Sequence, residues 1–234
     1  MIAEEITKEE LLSKLRPVWF ERIPGLETRA YWNSIVDGIN ESFRLGHPAM
    51  PALNRVFYAL NEFDEKKFRV LIIGQDPYPT AGVPNGLAFA SNPDTQLQKS
   101  LRIIFKEIDD EYGSDMVNDN SENGSLLPWL RQGVMLLNTV LTIGLDYYPH
   151  KTIGWQLFTN EVIQWLDVNF KFVTIAMGAD ARKIAQENIT ENSSLLIITK
   201  HPAVRDNTFG GCNCFIDCNN KLIENSLKPI KWTY

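Results

Sequence analysis

Four short, largely apolar runs recur along the chain, and each is followed within two residues by a glycine or a polar residue. They cover residues 70–73, 133–137, 172–176 and 195–199. Runs of this length, bounded by Gly, Pro or polar residues, are typical of buried strands. Because such strands usually belong to parallel sheets covered on both faces, the four runs predict a sheet of this kind.

The segments around these runs carry apolar residues at helical spacing. The predicted helices cover residues 7–16, 28–44, 52–62, 97–112, 155–168, 179–187 and 215–226, and Trp129 and Leu130 belong to a further short helix. Strands that alternate with helices indicate a parallel sheet with helices on both faces. The predicted fold class is therefore α/β, with a central four-stranded parallel sheet.

No internal repeat or linker divides the sequence, so residues 1–234 are predicted to form a single domain, with residues 1–46 as an N-terminal helical segment packed on it. An apolar share of 44% can fill its core. No apolar run approaches the roughly 18 residues of a membrane span, and the acidic start lacks the order of a signal peptide. We therefore expect a cytoplasmic protein with no membrane partner.

The net charge of −6 argues against a protein that coats nucleic acid through bulk electrostatics. A local DNA groove remains compatible with this charge. Four basic residues lie close in sequence to the loops that follow the strands, namely Lys99, Arg102, Lys200 and Arg205.

The three cysteines, Cys212, Cys214 and Cys218, lie close together with only His201 near them in sequence. This is not the spacing of a zinc site, and an odd number argues against a disulfide framework. We expect reduced, packed thiols. The sequence also lacks a Gly-rich phosphate loop and a serine nucleophile motif, so we predict no metal and no cofactor.

Chemically different residues follow the four predicted strands. These residues are Gln75, Asp76 and Tyr78, then Asn138, then Gly178, and then His201. Each of these residues also has a purely structural explanation. Asp76-Pro77 can make a turn, Asn138 can cap a helix or a turn, and His201 can be a surface residue whose hydrogen bonds are satisfied. However, the carboxyl ends of parallel strands meet at one edge, where ligands bind. An acid, an amide, an imidazole and an aromatic ring at one edge are typical parts of a hydrolytic pocket.

Four motifs that include these residues resemble those of the uracil-DNA glycosylases of the uracil-N-glycosylase family, in the family's order. They are residues 74–78 (Gly-Gln-Asp-Pro-Tyr), 86–89 (Gly-Leu-Ala-Phe), 136–142 (Leu-Leu-Asn-Thr-Val-Leu-Thr) and His201-Pro202. The resemblance covers roughly residues 47–220. It implies the fold predicted above and the hydrolysis of the N-glycosidic bond of uracil in DNA, which leaves an abasic site. It implies no metal or cofactor.

The resemblance also assigns expected roles to the residues of the base pocket. The target nucleotide must be flipped out of the duplex to reach it. Phe89 is expected to stack on uracil, and Asn138 to read its edge with one donor and one acceptor. Tyr78 is expected to exclude the methyl group of thymine, and Gln75 to add a contact to the base.

Two residues are expected to carry the reaction. Bond cleavage makes the departing uracil anionic and the sugar oxocarbenium-like. His201 is expected to stabilise the charge that develops on the uracil carbonyl oxygen, and Asp76 to orient the attacking water and balance the cationic sugar.

The residues expected to contact DNA depart from the family pattern. Pro79 stands where many members have histidine, and the usual Ser-Pro-Leu after His201-Pro202 is replaced by residues 203–205 (Ala-Val-Arg). Arg205 is therefore a candidate for the wedge that fills the gap left by the flipped base, with Val204 and Phe209 as the alternatives.

Three further positions affect how the protein is expected to bind the DNA backbone. Ala203 lacks the hydroxyl that would bind a phosphate, and Asp180 is expected to repel DNA. Ser100 is expected near the DNA backbone, as in the family. These changes predict a shifted substrate preference, toward single strands, where flipping costs less.

The predicted partner is uracil-containing DNA, single- or double-stranded, bound by a monomer, and a DNA-mimicking protein inhibitor is a further candidate. The alternative function is a glycosylase-fold DNA-binding or replication-associated module with weak or no catalysis. The altered wedge and phosphate loops favour this alternative, whereas the presence of both Asp76 and His201 favours the enzyme.

Overall fold

The computed structural model describes residues 1–115, 124–204 and 208–233. Its strands, in chain order, are β1 (Ala49–Met50), β2 (Val70–Gly74), β3 (Val134–Asn138), β4 (Ile143–Gly144), β5 (Val173–Met177) and β6 (Leu196–Thr199). Four of them form a parallel sheet in the order β3-β2-β5-β6. The predicted α/β fold class and its four parallel strands are confirmed.

The helices lie between and before these strands. In chain order they are α1 (Lys8–Leu12), α2 (Val18–Arg22), α3 (Tyr31–Arg44), α4 (Tyr58–Asn61), α5 (Lys99–Tyr112), α6 (Leu127–Leu130), α7 (Trp155–Asn169), α8 (Ala179–Asn188) and α9 (Cys214–Glu224). Within the described ranges, no helix is long and apolar enough to cross a membrane.

Both faces of the central sheet are covered. Every residue of β2, β3 and β5 is buried. Because side chains alternate between the two faces of a strand, complete burial requires packing on each face. The edge strand β6 is only partly buried. The sheet therefore presents its strand ends, rather than its faces, to ligands.

Two predicted helices are shorter or more broken than expected. The helix predicted over residues 7–16 ends at Leu12, because the Ser13 hydroxyl donates to the Glu10 carbonyl oxygen in the last turn. The helix predicted over residues 52–62 consists of a 3-10 turn, Leu53–Arg55, followed by the single turn of α4. The apolar spacing continues across this break, so periodicity could not reveal it.

A second, two-stranded sheet was not predicted. Strand β1 pairs antiparallel with β4, with Ala49 opposite Gly144 and Met50 opposite Ile143. Strands of two residues carry no recognisable periodicity, so only the tertiary contact defines them. This pairing anchors the start of the loop that leads to Tyr147.

The N-terminal helices pack on α7 through aromatic side chains. The ring centroids of Trp32 and Phe158 are 4.9 Å apart, and those of Trp19 and Trp165 are 5.5 Å apart in an edge-to-face arrangement. One continuous apolar core extends from Ile2 to residues near the C-terminus. Trp19 and Trp32 of this N-terminal segment are therefore core residues.

A buried carboxylate holds the turn that leads into β6. Asp167, which is 2% exposed, accepts hydrogen bonds from the backbone N–H groups of Thr190, Glu191 and Asn192 at 2.7, 2.9 and 3.0 Å. Burial alone would raise the pKa of Asp167, but these hydrogen bonds outweigh it and lower the pKa below its usual range. Asp167 thereby fixes the turn before β6, the strand that precedes the loop with His201.

We predict that Asp167→Asn lowers the free energy of unfolding by about 2–4 kcal/mol, because an amide has one acceptor oxygen where the carboxylate has two. The pKa of Asp167 is lower in the folded protein than in the unfolded chain, where it is about 3.9. The ionised carboxylate therefore stabilises the fold fully above about pH 3.9, and this stabilisation is lost as the pH falls through the pKa of the folded protein.

Urea unfolding at neutral pH and at about pH 3.5 measures this difference. The difference in the free energy of unfolding between wild type and variant should become smaller at the acidic pH. The control is Asp37→Asn, at an exposed position on α3. Equal effects of the two substitutions at neutral pH would contradict the prediction.

Candidate active site

A cavity of about 280 Å³ opens at the carboxyl ends of the parallel strands, at the predicted edge of the sheet. The residues that line it are Gln75, Asp76, Pro77, Tyr78, Pro79, Phe89, Ser100, Asn138, Tyr147 and His201. Eight of the ten residues predicted for the site line this one cavity. Ala203 lies beside it, and Arg205 falls outside the described residues.

The ends of β2 and β3 approach each other unusually closely. Gly74 lies opposite Asn138 in the register, and a Cβ atom at Gly74 would overlap the Asn138 side-chain oxygen and lie 2.9 Å from the Ala88 Cβ. The carbonyl of Gln75 accepts the Thr139 hydroxyl at 3.0 Å. The absence of a side chain at position 74 therefore makes room for the Asn138 amide.

The Asn138 side chain is buried but chemically available. It is 7% exposed and lines the cavity. Within the part of the chain that the structure describes, its amide has no hydrogen-bond partner. Because buried amides normally find partners, this one is suited to a ligand that offers one donor and one acceptor.

Asp76 is half-buried at the cavity wall. The Gln75 side-chain amide donates to its Oδ2 atom at 3.2 Å. Burial raises the pKa of Asp76, an effect that this hydrogen bond opposes. The Gln75 amide thus supports the ionised form of a carboxylate that the surroundings desolvate.

Tyr78 and Phe89 hold each other in place. The Tyr78 hydroxyl donates to the Phe89 carbonyl oxygen at 2.8 Å, and burial raises the pKa of Tyr78. Phe89 has φ of 63°, a left-handed conformation that is strained for a residue with a side chain. The ring centroids of Phe89 and His201 are 6.1 Å apart. The residue with the strained backbone, Phe89, is thus also the residue that places an aromatic ring in the cavity wall.

The backbone after β6 selects one tautomer of His201. The Ala203 N–H donates to His201 Nδ1 at 3.1 Å, so Nδ1 is an acceptor and the proton of the neutral ring is on Nε2. Burial lowers the pKa of His201, which favours the neutral ring. His201 is therefore arranged as a neutral N–H donor.

An ion pair at the rim bears on one expectation. The sequence predicts that Asp180 repels DNA, but in the structure Lys151 Nζ lies 2.9 Å from both of its carboxylate oxygens. The charge of Asp180 is therefore largely compensated. The two side chains act on Asp76 in opposite directions, Asp180 raising its pKa and Lys151 lowering it.

Tyr147 is a cavity residue that the sequence analysis missed. It is 77% exposed and follows Asp146, and both residues have left-handed φ angles, 66° and 58°. An exposed aromatic residue in a polar loop gives no periodic pattern, so only the tertiary structure brings it to the cavity. In the described ranges, no set of three metal-ligating side chains lies in this cavity.

The match to known families agrees with this geometry. Residues 60–223 match the family model described as the Uracil DNA glycosylase superfamily, which is more than half of the chain. The chain belongs to this superfamily. The resemblance seen in the sequence motifs is thereby confirmed.

Individual relatives of this superfamily member align over nearly its whole length. A uracil-DNA glycosylase of Borrelia turicatae (strain 91E135) is 33% identical over 207 residues, which are 86% of this chain and 91% of that protein. One of Ruegeria sp. (strain TM1040) is 35% identical over 229 residues, 94% of this chain and 92% of that protein.

A solved structure shares the glycosylase fold. The mimivirus uracil-DNA glycosylase has a TM-score of 0.79 at 24% identity, over 98% of this chain and 90% of that chain. A variant of the mimivirus protein has been solved in complex with UGI.

We predict that Gly74→Ala displaces the Asn138 side chain, because the added methyl group would occupy the space of its amide oxygen. The free energy of unfolding should fall by about 1–3 kcal/mol, as for other overpacked sites. A crystal structure of the variant and urea unfolding would measure both effects. Gly82→Ala is a comparison for the position of the Asn138 side chain only: its Cβ would contact nothing within 4 Å, but its left-handed φ of 76° means that it should also lose stability. An unmoved Asn138 side chain would contradict the prediction.

Proposed function

We propose that this chain is a uracil-DNA glycosylase that flips uracil out of DNA and hydrolyses its N-glycosidic bond, leaving an abasic site for repair. The observation that carries the proposal is one cavity that combines a partner-free Asn138 amide, a half-buried Asp76 carboxylate and a His201 ring held as an N–H donor. Membership of the superfamily and the names of the relatives support it.

The cavity suits a single pyrimidine base. Its volume of about 280 Å³ is near the lower end of the ~300–1,000 Å³ of pockets for drug-sized ligands. Phe89 offers an aromatic face for stacking. Asn138 offers an N–H donor for one uracil carbonyl and an oxygen acceptor for the ring N–H, and cytosine presents the opposite pattern at that edge.

Tyr78 is the proposed barrier against thymine. Its hydroxyl is fixed to the Phe89 carbonyl, so the ring cannot easily swing aside. A methyl group on the base would have to enter the space of this ring. Gln75 adds its side chain to the same wall and supports Asp76.

His201 is proposed to stabilise the leaving group. When the glycosidic bond breaks, electrons move onto uracil and charge accumulates on its carbonyl oxygen. A neutral imidazole with its proton on Nε2 can donate a hydrogen bond to that oxygen without first being protonated. A donor held in place before the reaction is more effective than water, because it need not reorient.

Asp76 is proposed to act as a carboxylate on the sugar side. It would orient the attacking water and balance the positive charge that develops on the sugar. A partly desolvated carboxylate interacts more strongly with that charge than one in water does. The reaction needs no metal or cofactor in this scheme.

DNA is proposed to approach across the rim of the cavity. Ser100, in the first turn of α5, and Pro79 both line the cavity, which supports their proposed place beside the backbone of a flipped nucleotide. Ala203 contributes through its backbone contact to His201 rather than through a side chain. Arg205 is proposed, from the sequence alone, as the residue that fills the vacated gap.

The proposed enzyme acts as a monomer in the cytoplasm on uracil in single- or double-stranded DNA. A DNA-mimicking protein inhibitor would present its acidic groups to the same face. A variant of the mimivirus relative has been solved in complex with UGI, so binding of such an inhibitor to this chain is worth testing.

A DNA-binding module with weak or no catalysis is the second candidate function. The observation that favours it is Ala203 after β6, because its methyl group supplies no hydroxyl for the phosphate contact expected of the enzyme. Tight binding of uracil-containing DNA without cleavage would support this candidate.

We predict that the protein converts a central uracil in an oligonucleotide into an alkali-labile site, and that Asp76→Asn lowers the rate at least about 100-fold by removing the charge that balances the sugar. Strand cleavage after alkali measures the product, with thymine in place of uracil as the control. Full activity of Asp76→Asn would contradict the assigned role.

The same assay tests the protonation states. Activity needs Asp76 ionised and His201 neutral, and both forms are lost on acidification. Because burial lowers the pKa of His201, the rate should fall to half of its plateau at a pH below the histidine's ordinary pKa of about 6.5. A rate that rises as pH falls would show that a protonated imidazole is required.

We predict that Arg205→Ala lowers kcat/KM on duplex substrate at least about ten-fold and changes it less than about two-fold on single strands, because only the duplex leaves a gap to fill. Arg205→Leu, with an apolar wedge, should restore duplex activity. Equal losses on both substrates would indicate a phosphate contact instead.

A further inference from the structure

Two thiols and a carboxylate meet outside the uracil cavity, where the end of α5 contacts the start of α9. The ligand atoms of Glu111, Cys212 and Cys214 all lie within 4.8 Å of one another. Cys214 is buried, whereas the other two side chains are partly exposed. None of the three lines the cavity that carries the proposed reaction.

The distances are close to those of a metal site. Zinc binds thiolate sulfur at about 2.3 Å and carboxylate oxygen at about 2.0–2.2 Å, which places tetrahedral ligand atoms about 3.5–3.8 Å apart. From a separation of at most 4.8 Å, the atoms need to approach by at most about 1.3 Å to reach this spacing. Three protein ligands and one water would complete the coordination.

The surrounding hydrogen bonds hold the ligands in position. The Glu111 carboxylate accepts the N–H groups of Phe215 and Ile216 at 3.3 and 2.6 Å, so it is already oriented toward the first turn of α9. These bonds use one lone pair on each oxygen and leave others free. Metal-binding carboxylates commonly have such supporting hydrogen bonds.

A second carboxylate fixes the chain on both sides of Cys212. The Glu107 carboxylate accepts the N–H groups of Gly211 and Asn213 at 2.6 and 2.8 Å. Asn213 has a left-handed φ of 52°, which turns the chain between the two cysteines into α9. The positions of both thiols are therefore set by the backbone before any ligand arrives.

The cluster is rich in groups that become negative and has no salt-bridge partner. Among the described residues, no lysine, arginine or histidine forms a salt bridge with Glu107 or Glu111. A divalent cation would supply the missing positive charge and would bind the thiols as thiolates. Soft sulfur ligands together with a carboxylate favour zinc over magnesium or calcium.

We propose that Glu111, Cys212 and Cys214 form a binding site for a thiophilic divalent cation, with Zn²⁺ as the natural occupant. A metal bound at this site would hold residues 208–213 against α5, because its ligands come from both. Because this segment continues from the loop that follows His201, metal binding would stabilise the DNA-facing side of the fold without taking part in the reaction.

Cobalt is the probe for this site. The reduced protein, freed of metal with a chelator, is titrated with Co²⁺, which gives sulfur-to-cobalt charge-transfer absorption and visible bands of a tetrahedral centre when thiolates bind. We expect saturation at one Co²⁺ per chain and loss of the bands when Zn²⁺ is added. The absence of charge-transfer absorption at saturating Co²⁺ would overturn the proposal.

Variants identify the ligands. Cys212→Ser and Cys214→Ser should each weaken Co²⁺ binding at least about 100-fold, since loss of a direct ligand exceeds the 10–100-fold effect of a supporting residue. Cys218→Ser, a buried cysteine outside the cluster, is the matched control and should bind normally. Unchanged spectra in both ligand variants would refute the assignment.

Thermal unfolding gives a second readout. Zn²⁺ should raise the melting temperature of the wild type and of Cys218→Ser, but not that of Cys212→Ser, because only a folded site binds the ion. If Cys214→Ser does not fold, the partly exposed Cys212→Ser carries the test alone. An equal zinc shift in wild type and Cys212→Ser would contradict the site.

Discussion

The pocket depends on the close approach of two neighbouring strand ends. Gly74 and Asn138 lie opposite each other where β2 and β3 leave the sheet, and the space above the glycine is filled by the asparagine side chain. The Gln75 carbonyl is tied to Thr139 at the same point. The absence of a Cβ at Gly74 therefore sets the position of the amide proposed to read the base. Gln75 and Asp76 follow directly at the same strand end, which sets their positions as well.

Around this constraint, the backbone prepares the polar groups for their proposed roles. The N–H of Ala203 determines which nitrogen of the neutral His201 ring carries the proton, and burial lowers the pKa of His201, which favours the neutral ring. The Gln75 amide supports the negative form of Asp76 against desolvation. Preorganised groups of this kind stabilise developing charge without the reorganisation that water requires. Function in this family fold thus rests on neighbours that do not themselves react.

The rim shows how departures from a family pattern can be compensated. An acid at position 180 suggests repulsion of DNA when it is considered alone, yet Lys151 from another loop neutralises it. Where α5 contacts the start of α9, Glu111 lies beside two cysteines that come about a hundred positions later in the sequence. In both cases, a residue distant in sequence changes the chemistry of a local motif.

The sequence by itself determined the buried strands, the fold class and the polar residues at the strand ends, because apolar runs and the carboxyl ends of parallel strands follow local rules, whereas Phe89, Ser100 and Pro79 were predicted only from the resemblance of the motifs to a family. It could not determine the two-residue strands, the broken helix at residues 52–62 or the place of Tyr147, since none of these has a periodic pattern. Only the tertiary structure decided the tautomer of His201, the pairing of Asp180 and the position of Glu111 beside the cysteines. These features depend on distances between side chains far apart in the chain, which packing alone sets.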